Sequence, residues 1–600
     1  MHSIKTIQDV SRIEENGASA WMPYTNLWDA LSASASQHGE SLALAEVDLS
    51  QSSRRGASWT YAELTRHVTE AAEFFSVLVR PETPRVALLA PPTSKAWITL
   101  LASECSGVAI PINHALSIEH LTGLLQASNA NVVAYHLDDS PHGVTENVLS
   151  QLRQTCPSIK AWAAIGRHVC TGDKPLPDLG ESPASTPRLP TVDSVNSTVA
   201  LYHTGGTTGL PKLVQHTAIN QLFASKGAAA MYGLKPADRV LNGFPLFHVA
   251  GAFVYGLSAL LSGSSVWLPP VGGWRNAEWN AKAWATMEAL GITVLAMVPT
   301  VMSILLGQSS VAQGHRSLRL ALTGGSPLPE GLAAEFEART ELPVRNILGM
   351  TETGGVIAIE PAASPRKPGS CGLPIPFCRV TLDEASTLCI SGLNVSPGYT
   401  DPTRNRGVFE NEVLNSGDLG EISQSGEVYV TGRAKDLIIR GAHNIDPSVI
   451  EEALAAHPSI SLGAAVGMPD AYAGEVPVAF AVRSPSAMAE QNEVIDWLAS
   501  RITEKVAIPK EIFWLDSLPQ TSIGKIYKPE LRRLAAVHHF GRLLHNTEPG
   551  LTDAVSFEVL EEGGSLRLVF HATKEGNRSD LNAQLSTLMK PYAWRWELTP

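Results

Sequence analysis

Short apolar segments alternate with amphipathic helical segments in the first quarter of the chain, and this alternation constrains the fold most strongly. The segment RVALLA at 85–90 is a continuous apolar run, which is typical of a strand buried on both faces. A helix is predicted over 60–78, with Thr60 as its cap and Glu63 at the capping-box position. The pattern continues as helix 94–106, strand 108–112, helix 118–127 and strand 131–135. Strands joined by helices pair in parallel, so we expect an α/β protein with a largely parallel sheet.

The length and composition indicate a large protein of several domains. The chain has 600 residues, of which 44% are hydrophobic and 17% charged, and its formal net charge is −13. This length and apolar content support two or more separate cores. Because there is no dense run of Lys or Arg, nucleic acid and anionic membranes are excluded as main partners. An anionic substrate therefore needs local positive groups, for which Lys212, Arg433 and Lys525 are candidates.

The cysteines and the uncharged stretches indicate the cellular compartment and whether the chain crosses a membrane. The six cysteines are scattered without a CxxC pair, which favours a reducing cytoplasm and argues against zinc or a disulfide framework. The N-terminal segment lacks the apolar run of a signal peptide. Two stretches, 240–274 and 289–315, contain no Asp, Glu, Lys or Arg, but proline and glycine interrupt both. We interpret them as buried core and expect no transmembrane segment.

A glycine- and threonine-rich stretch, LYHTGGTTGLPKLVQ at 201–215, has the composition of a loop that holds a polyphosphate. Consecutive glycines let backbone N–H groups turn toward an anion, threonine hydroxyls add donors, and Lys212 adds a positive charge. The Walker A pattern is not satisfied, because Leu210 and Pro211 precede the lysine. A helix is predicted to begin only at Thr217, so the loop joins two strands. On these residues alone, a hairpin turn without a ligand is the alternative.

The string TGGTTGLPK closely resembles the phosphate loop of the acyl-adenylate-forming enzymes. That family includes acyl-CoA synthetases, luciferases and the adenylation domains of peptide synthetases. Further segments downstream resemble motifs of the family in the family's order, and the resemblance extends over residues 20–535. It implies that the loop clamps the β- and γ-phosphates of ATP, through Thr204, Gly205, Gly206, Thr207, Thr208, Gly209 and Lys212.

Three segments resemble motifs around the adenine, the acyl group and the α-phosphate. In GFPLFHVAG, His248 takes the position beside the acyl pocket that gates entry of the carboxylate and the thiol. In VRNILGMTETGG, the resemblance makes Thr351 a donor to the α-phosphate and Glu352 the ligand of Mg²⁺, which prefers hard oxygen atoms. This segment departs from the family at Leu348, where a tyrosine usually packs on the adenine. Together with TGGSPLP, it provides the adenine and acyl-pocket candidates Gly324, Gly325, Ser326, Leu348, Gly349 and Met350.

The last motifs lie beyond residue 415. Asp418 in NSGDLGEI and Arg433 in VYVTGRAKDLIIR take the family's ribose-binding positions, and Asp436 takes that of the hinge between two domains. In PQTSIGKIYK, Lys525 matches the family's late catalytic lysine, whose charge relieves repulsion when a carboxylate attacks the α-phosphate. Between these motifs, RGAHNIDPSVI at 440–450 resembles the loop that lines the thiol tunnel in the family, with Ala442 in place of the usual second glycine; its candidates are Arg440, Gly441, Ala442 and His443.

The resemblance also implies a domain organisation. A large AMP-binding domain of parallel-rich αβα layers and a distorted β-barrel spans 1–433, a hinge spans 434–436, and a small mobile α+β domain spans 437–537. Residues 538–600 fall outside the resemblance and are predicted to form an extra ββαβ unit of unknown role. Its predicted elements are a hairpin of strands 555–560 and 565–571 around the turn 561–564, a helix at 580–589 and a strand at 592–598. Trp594 and Trp596 share one face of the last strand and are expected to pack on the main body or on a second subunit, so a homodimer is one candidate state.

The implied activity is that of an ATP- and Mg²⁺-dependent acid–thiol ligase. The carboxylate attacks the α-phosphate to give acyl-AMP and pyrophosphate, and the thiol of coenzyme A (CoA) then attacks the acyl carbon and releases AMP. Both steps share one cleft, with the small domain rotating about Asp436. Apolar residues at 244–255 and 320–322 favour a hydrophobic acid, fatty or aromatic. The alternatives are an adenylating enzyme that loads a carrier protein or uses no thiol, and a catalytically inactive nucleotide-binding module.

Overall fold

The computed structural model describes most of the chain. The described residues are 3–51, 54–137, 144–166, 168–177, 197–204, 212–308, 316–325, 328–433, 436–440, 443–485, 487–521, 524–547, 551, 554–562, 565–573, 578–592 and 594–599.

The strands within these residues are, in chain order, β1 (Leu42–Val47), β2 (Arg55–Thr60), β3 (Arg85–Leu89), β4 (Val108–Pro111), β5 (Val132–Tyr135), β6 (Ala161–Ala164), β7 (Lys174–Pro175), β8 (Thr198–His203), β9 (Leu213–Thr217), β10 (Arg239–Asn242), β11 (Ser265–Leu268), β12 (Val294–Met297), β13 (Leu320–Gly324), β14 (Val344–Leu348), β15 (Ala358–Ile359), β16 (Leu373–Pro374), β17 (Cys378–Leu382), β18 (Thr387–Gly392), β19 (Phe409–Glu410), β20 (Val413–Ile422), β21 (Val428–Arg433), β22 (Ile438–Arg440), β23 (His443–Ile445), β24 (Ile460–Asp470), β25 (Gly474–Arg483), β26 (Ile512–Trp514), β27 (Val555–Glu562), β28 (Ser565–Ala572) and β29 (Arg595–Thr599).

The α-helices are α1 (Ile7–Glu14), α2 (Ala18–Trp21), α3 (Leu27–His38), α4 (Tyr61–Val79), α5 (Ser94–Ser106), α6 (Ile118–Ala127), α7 (Glu146–Thr155), α8 (Ala218–Tyr232), α9 (Ser258–Leu261), α10 (Ala277–Ala289), α11 (Pro299–Leu306), α12 (Glu330–Thr340), α13 (Pro447–Ala455), α14 (Gln491–Arg501), α15 (Lys528–Thr547) and α16 (Arg578–Met589). A π-helix spans Ala250–Leu257, and 3₁₀ turns span Gly273–Arg275, Thr351–Thr353, Pro402–Asn405 and Lys505–Ala507.

Two large sheets form the N-terminal part, and both are parallel at their centres. In the described residues, one has nine strands in the order β16-β15-β14-β13-β12-β10-β11-β1-β2, and the other has seven in the order β7-β6-β5-β3-β4-β8-β9. Strands β3, β4, β5, β6 and β8 run parallel, as do β1 and β10–β14. Antiparallel strands lie at the edges, where β2, β9, β15 and β16 pair. The predicted α/β fold class is confirmed.

Helices α5 and α8 are enclosed between these layers. Nearly every residue of both helices is buried, and their side chains join one apolar core with residues of both sheets. A helix that is covered all round needs no polar face. The predicted start signals are also observed, since Thr60 and Thr217 cap α4 and α8 through their side-chain oxygens.

Three smaller sheets follow. An antiparallel five-stranded sheet, β17-β18-β20-β19 with β21 on β20, takes the place of the predicted barrel. The next sheet has the order β23-β22-β25-β24, with β26 on β25, and its apolar side chains form clusters separate from the N-terminal core. The small α+β unit expected near the C-terminus is therefore present.

The extension folds as the predicted ββαβ unit, with the sheet order β27-β28-β29 and α16 before the last strand. Helix α15 was not predicted, and it contributes Ala535 to the small sheet's core and Phe540 to the extension's core. The boundary predicted at 537/538 falls inside this helix. Trp594 and Trp596 pack within the extension, on Phe540 at 5.1 Å and on Phe570 at 6.0 Å between ring centroids.

The two uncharged stretches fold largely into buried elements, as expected. Residues 240–274 form β10, the π-helix, α9 and β11, and the described part of 289–315 forms β12 and α11. Among the described residues, none of the helices combines the length and apolarity that crossing a membrane requires.

Candidate active site

The phosphate-loop segment joins two antiparallel strands, as predicted. His203 at the end of β8 pairs with Leu213 at the start of β9, and the Thr204 amide donates to the Lys212 carbonyl at 2.9 Å. This closes the base of the loop. Gly205, Gly206, Thr207, Thr208 and Gly209 lie outside the described residues, so their role stays a prediction.

The adenine and acyl-pocket candidates lie where β13 and β14 end side by side. Parallel sheets bind ligands at this edge, beyond the carboxyl ends of their strands. The glycines are required here by close packing: a Cβ on Gly324 would lie 2.1 Å from Ile347 Cγ2, and one on Gly349 would lie 1.9 Å from the Gly355 carbonyl oxygen. Leu348 and Met350 are partly buried against the main core. Ser326 lies outside the described residues.

Lys525 reaches the same edge from the C-terminal part of the chain. A Cβ on Gly325 would lie 3.2 Å from Lys525 Cε, and Gly325 has a φ of +86°, which only glycine adopts readily. The lysine's turn rests on the start of α11, because a Cβ on Gly524 would lie 3.3 Å from Thr300 Oγ1. Within the turn, the Thr521 amide donates to the Lys525 carbonyl at 2.7 Å. The structure thus brings together sites that are 200 residues apart in the sequence.

Two histidines near this edge of the sheet are held neutral. Burial, and then the charges of Lys525 and His203, lower the pKa of His248 to about 3. Burial also lowers the pKa of His203 to about 4. The Ala250 amide donates to His248 Nδ1 at 3.2 Å, which leaves the proton of the neutral ring on Nε2. His248 is therefore a neutral hydrogen-bond donor at physiological pH.

Glu352 lies in a buried 3₁₀ turn beside Thr351 and is held by a tyrosine. The Tyr399 hydroxyl donates to Glu352 Oε1 at 2.6 Å, and the Ser396 amide donates to the Glu352 carbonyl at 2.8 Å. Burial, and then the Glu352 charge, raise the pKa of Tyr399, so the phenol keeps its proton. The Lys212 ammonium lies 4.6 Å from the centre of the same ring.

The ribose candidates lie opposite one another. Asp418 in β20 pairs with Arg433 in β21, and Asp418 is buried. The side chain of Arg433 is outside the described set. Beyond β21, the Arg532 side chain of α15 donates to Asp436 Oδ1 at 2.5 Å, so the hinge candidate is bound to the C-terminal part of the chain.

Two of the thiol-tunnel candidates, Arg440 and His443, lie on paired strands of the small sheet. Arg440 pairs with His443 across β22 and β23, and the Arg440 guanidinium donates to the Val506 carbonyl at 2.7 Å. Gly441 and Ala442 lie outside the described residues. Of the described C-terminal residues, Lys525 is the one that lies beside Gly325.

Two family models match the chain. The model described as AMP-binding enzyme matches residues 31–400, more than half of the chain, and the model of the AMP-binding enzyme C-terminal domain matches residues 449–525. The chain belongs to the AMP-binding enzymes. The first match includes the phosphate loop and the Glu352 segment, and the second ends at Lys525.

Relatives of this AMP-binding enzyme are acid–CoA ligases. A marinolic acid–CoA ligase from Pseudoalteromonas is 30% identical and matches over 100% of this chain and 95% of its own length. A long-chain fatty acid–CoA ligase from Mycobacterium tuberculosis is 27% identical over 79% of this chain and 92% of its own. The chain is an AMP-forming acyl-CoA synthetase that uses ATP and CoA, as predicted. The carrier-loading and inactive alternatives are not favoured.

A solved structure shows the same fold. ATP-bound MatB from Rhodopseudomonas palustris superposes with a TM-score of 0.74 at 26% identity, over 85% of this chain and 98% of MatB. The large N-terminal part and the small C-terminal unit both fall within the fold class of AMP-binding enzymes.

The motifs did not identify three side chains of this AMP-binding enzyme, of which Tyr399 and His216 are buried and His203 is partly buried. His203 stacks on Phe247 at 5.8 Å between ring centroids, Tyr399 binds Glu352, and His216 packs edge-on against Tyr202 at 5.5 Å. His203 stands directly before the phosphate loop, and that position is a signal that sequence reasoning can use. Tyr399 and His216 have no such local signal.

The buried histidines predict acid sensitivity. Burial lowers the pKa of His216 from 6.5 to about 3. Between pH 6.5 and 3, His216 is therefore protonated in the unfolded chain but neutral in the folded chain. The free energy of unfolding falls as the pH drops through this range. Each such histidine contributes up to about 1.4 kcal/mol per pH unit in that range. In the variant His216→Phe, a ring of similar size replaces the imidazole. We expect the slope of the unfolding free energy against pH to be smaller by about 1.4 kcal/mol per pH unit, which corresponds to one proton.

Unfolding of wild type and variant at pH 7, 6 and 5 measures this slope. The control is Phe75→Leu, which removes buried apolar contacts but no titrating group and is expected to leave the slope unchanged. A slope in His216→Phe equal to that of the wild type would contradict the assignment.

Proposed function

We propose that this acyl-CoA synthetase activates a hydrophobic carboxylic acid, fatty or aromatic, and that the residues gathered around Gly325 carry its two steps. The observation that carries the proposal is the approach of Lys525 to Gly325, at the ligand-binding edge of the parallel sheet. A cation is thereby held where the acid and the α-phosphate have to meet. The arrangement suits the adenylating step.

In the first step, charge placement does most of the work. Two anions, the carboxylate and the α-phosphate, repel one another, and Lys525 and Thr351 offer a positive charge and a hydroxyl donor to the charge that develops. Lys212 and the phosphate loop, with Thr204 at its base, hold the phosphates that leave as pyrophosphate. Asp418 accepts from the ribose hydroxyls beside Arg433, and Leu348 covers the adenine.

The donor set around Glu352 fits Mg²⁺. Among the described residues, no cluster of three or more His, Cys, Asp or Glu forms a protein cage for a metal. Mg²⁺ often uses one carboxylate together with substrate phosphates, and Glu352 supplies such a carboxylate beside the phosphate loop. Because Tyr399 occupies Oε1, Oε2 is the oxygen that we assign to the ion. The ion would neutralise phosphate charge.

In the second step, the small unit turns about the segment 434–436 and exchanges Lys525 for the Arg440–His443 hairpin. Separate apolar cores on either side of this segment support such a rotation, because the cores need not be broken. We take 1–433, 437–537 and 538–600 as the three units. His248, a neutral donor, stands where the thiol enters.

Apolar side chains behind the Glu352 turn support a hydrophobic acid. A Cβ on Gly354 would lie 2.8 Å from Ala224 Cβ, and one on Gly355 would lie 2.8 Å from Val254 Cγ2. Apolar side chains of helix α8 and of the π-helix thus pack closely against the turn. Phe244 and Tyr255 pack at 4.9 Å between ring centroids in the same region. The names of the two relatives, one a long-chain fatty acid–CoA ligase, agree with this chemistry.

Two further proposals concern the setting of the enzyme. We propose a cytoplasmic location, which six unpaired cysteine thiols support. We also propose a homodimer, for which sedimentation of the full chain at twice the mass of 64.1 kDa is the test.

Half-reaction kinetics test the two-step assignment. We expect Lys525→Ala to slow acid-dependent pyrophosphate release by about 10²–10³-fold, the typical effect of removing one donor to a developing charge. The same variant is expected to form thioester from supplied acyl-AMP and CoA at nearly the wild-type rate. Arg440→Ala is the matched variant on the other loop and should slow only the second reaction. Equal loss of both half-reactions in Lys525→Ala would refute the alternation.

An acid panel tests the substrate class. Each buried methylene contributes about 0.8 kcal/mol, which corresponds to about fourfold in kcat/KM. We therefore expect kcat/KM for CoA-dependent AMP release to rise along acetate, hexanoate and decanoate, and to be high for aryl acids. The control omits CoA. Acetate reacting as well as decanoate would overturn the assignment.

A further inference from the structure

A short segment around Tyr399 is bound to the strand that follows the phosphate loop. The Gln215 amide donates to the Gly398 carbonyl, and the Thr400 amide donates to the Leu213 carbonyl, both at 2.9 Å. Val214 and Tyr399 form an antiparallel bridge between these bonds. The backbone of Tyr399 is thereby held in register with β9, directly behind Lys212.

The Tyr399 side chain contacts the two ends of the proposed metal–phosphate site. Its hydroxyl donates to Glu352 Oε1 at 2.6 Å, and its ring lies 4.6 Å from the Lys212 ammonium. Tyr399 is 4% exposed and Glu352 6% exposed, so the hydrogen bond between them is shielded from water. A hydrogen bond to a charged acceptor is stronger than one between neutral groups, and the face of an aromatic ring attracts a cation.

These contacts give the Lys212 ammonium and the Glu352 carboxylate partners other than each other. An ammonium and a carboxylate close together tend to pair, and such a pair would turn both groups away from a nucleotide. The phenol gives each group another partner: the hydroxyl takes one oxygen of Glu352, and the ring face takes Lys212. Phe409 packs edge-on against the ring at 5.5 Å, which fixes the ring's orientation.

We propose that Tyr399 is a positioning residue that orients Glu352 toward Mg²⁺ and Lys212 toward the phosphates. This rests on the function proposed above. The hydroxyl and the ring have separate tasks, so that the metal affinity depends on the hydroxyl and the nucleotide affinity depends on the ring.

Two variants separate these tasks. Tyr399→Phe keeps the ring and removes the hydroxyl, whereas Tyr399→Leu removes both. Removing a partner that orients a metal ligand typically costs 10–100-fold in metal affinity. We expect Tyr399→Phe to weaken Mn²⁺ binding to the ATP-loaded enzyme by about 10-fold or more, measured by electron paramagnetic resonance, and to bind metal-free ATP as the wild type does. Tyr399→Leu is expected to weaken binding of metal-free ATP as well.

Tyr61→Phe is the matched control, because the Tyr61 hydroxyl is also buried and donates to the Ser264 carbonyl at 2.7 Å. It is expected to change stability and to leave Mn²⁺ affinity unchanged. Thioester formation from supplied acyl-AMP should be unchanged in Tyr399→Phe.

Two results overturn the proposal: wild-type Mn²⁺ affinity in Tyr399→Phe, or equal losses in Mn²⁺ binding and in the acyl-AMP half-reaction, which would mean a structural role. Failure of the proposed function has a different signature, since the wild type itself would then release no pyrophosphate in the presence of acid, ATP and Mg²⁺.

Discussion

The Lys525 side chain passes so close to Gly325 that a Cβ at this position would lie 3.2 Å from Lys525 Cε, and this approach joins the C-terminal part of the chain to the large sheet. A glycine leaves the most space for the lysine and readily adopts the φ of +86°. The lysine belongs to the C-terminal part of the chain, which has its own apolar clusters, so withdrawing the lysine would not break the packing of the two large sheets. A cation that is delivered from a separate body can act in one step and leave for the next.

The electrostatic character of the site follows from burial. The chain has a net charge of −13, yet its site has to hold a polyphosphate and a carboxylate. Burial keeps His203 and His248 neutral, with pKa values of about 4 and 3, so lysines supply the positive charge. Tyr399 donates a hydrogen bond to Glu352 and offers its ring face to Lys212, so these two charged groups need not pair with each other. These two histidines therefore do not change the charge of the site near neutral pH.

Local patterns predicted much of the fold, whereas contacts between distant residues did not follow from them. The apolar run at β3 and the caps Thr60 and Thr217 act through neighbouring residues, and all three were predicted correctly. The π-helix was missed because its apolar sequence has no separate periodic signal. Helix α15 crosses the boundary predicted at 537/538, because its two halves pack in different apolar clusters.

The site shows the same division. Motif order predicted its residues, but the contacts of Lys525 with Gly325 and of Tyr399 with Glu352 depend on tertiary packing.

The most direct test of the proposed rotation of the small unit holds the turn that carries Lys525 in place. A short bis-maleimide would link Thr300→Cys to Thr521→Cys, across the contact that Gly524 makes with Thr300. The linked enzyme should still release pyrophosphate with acid and ATP but form no CoA thioester, while the unlinked double variant does both. Thioester formation at the unlinked rate would contradict the account.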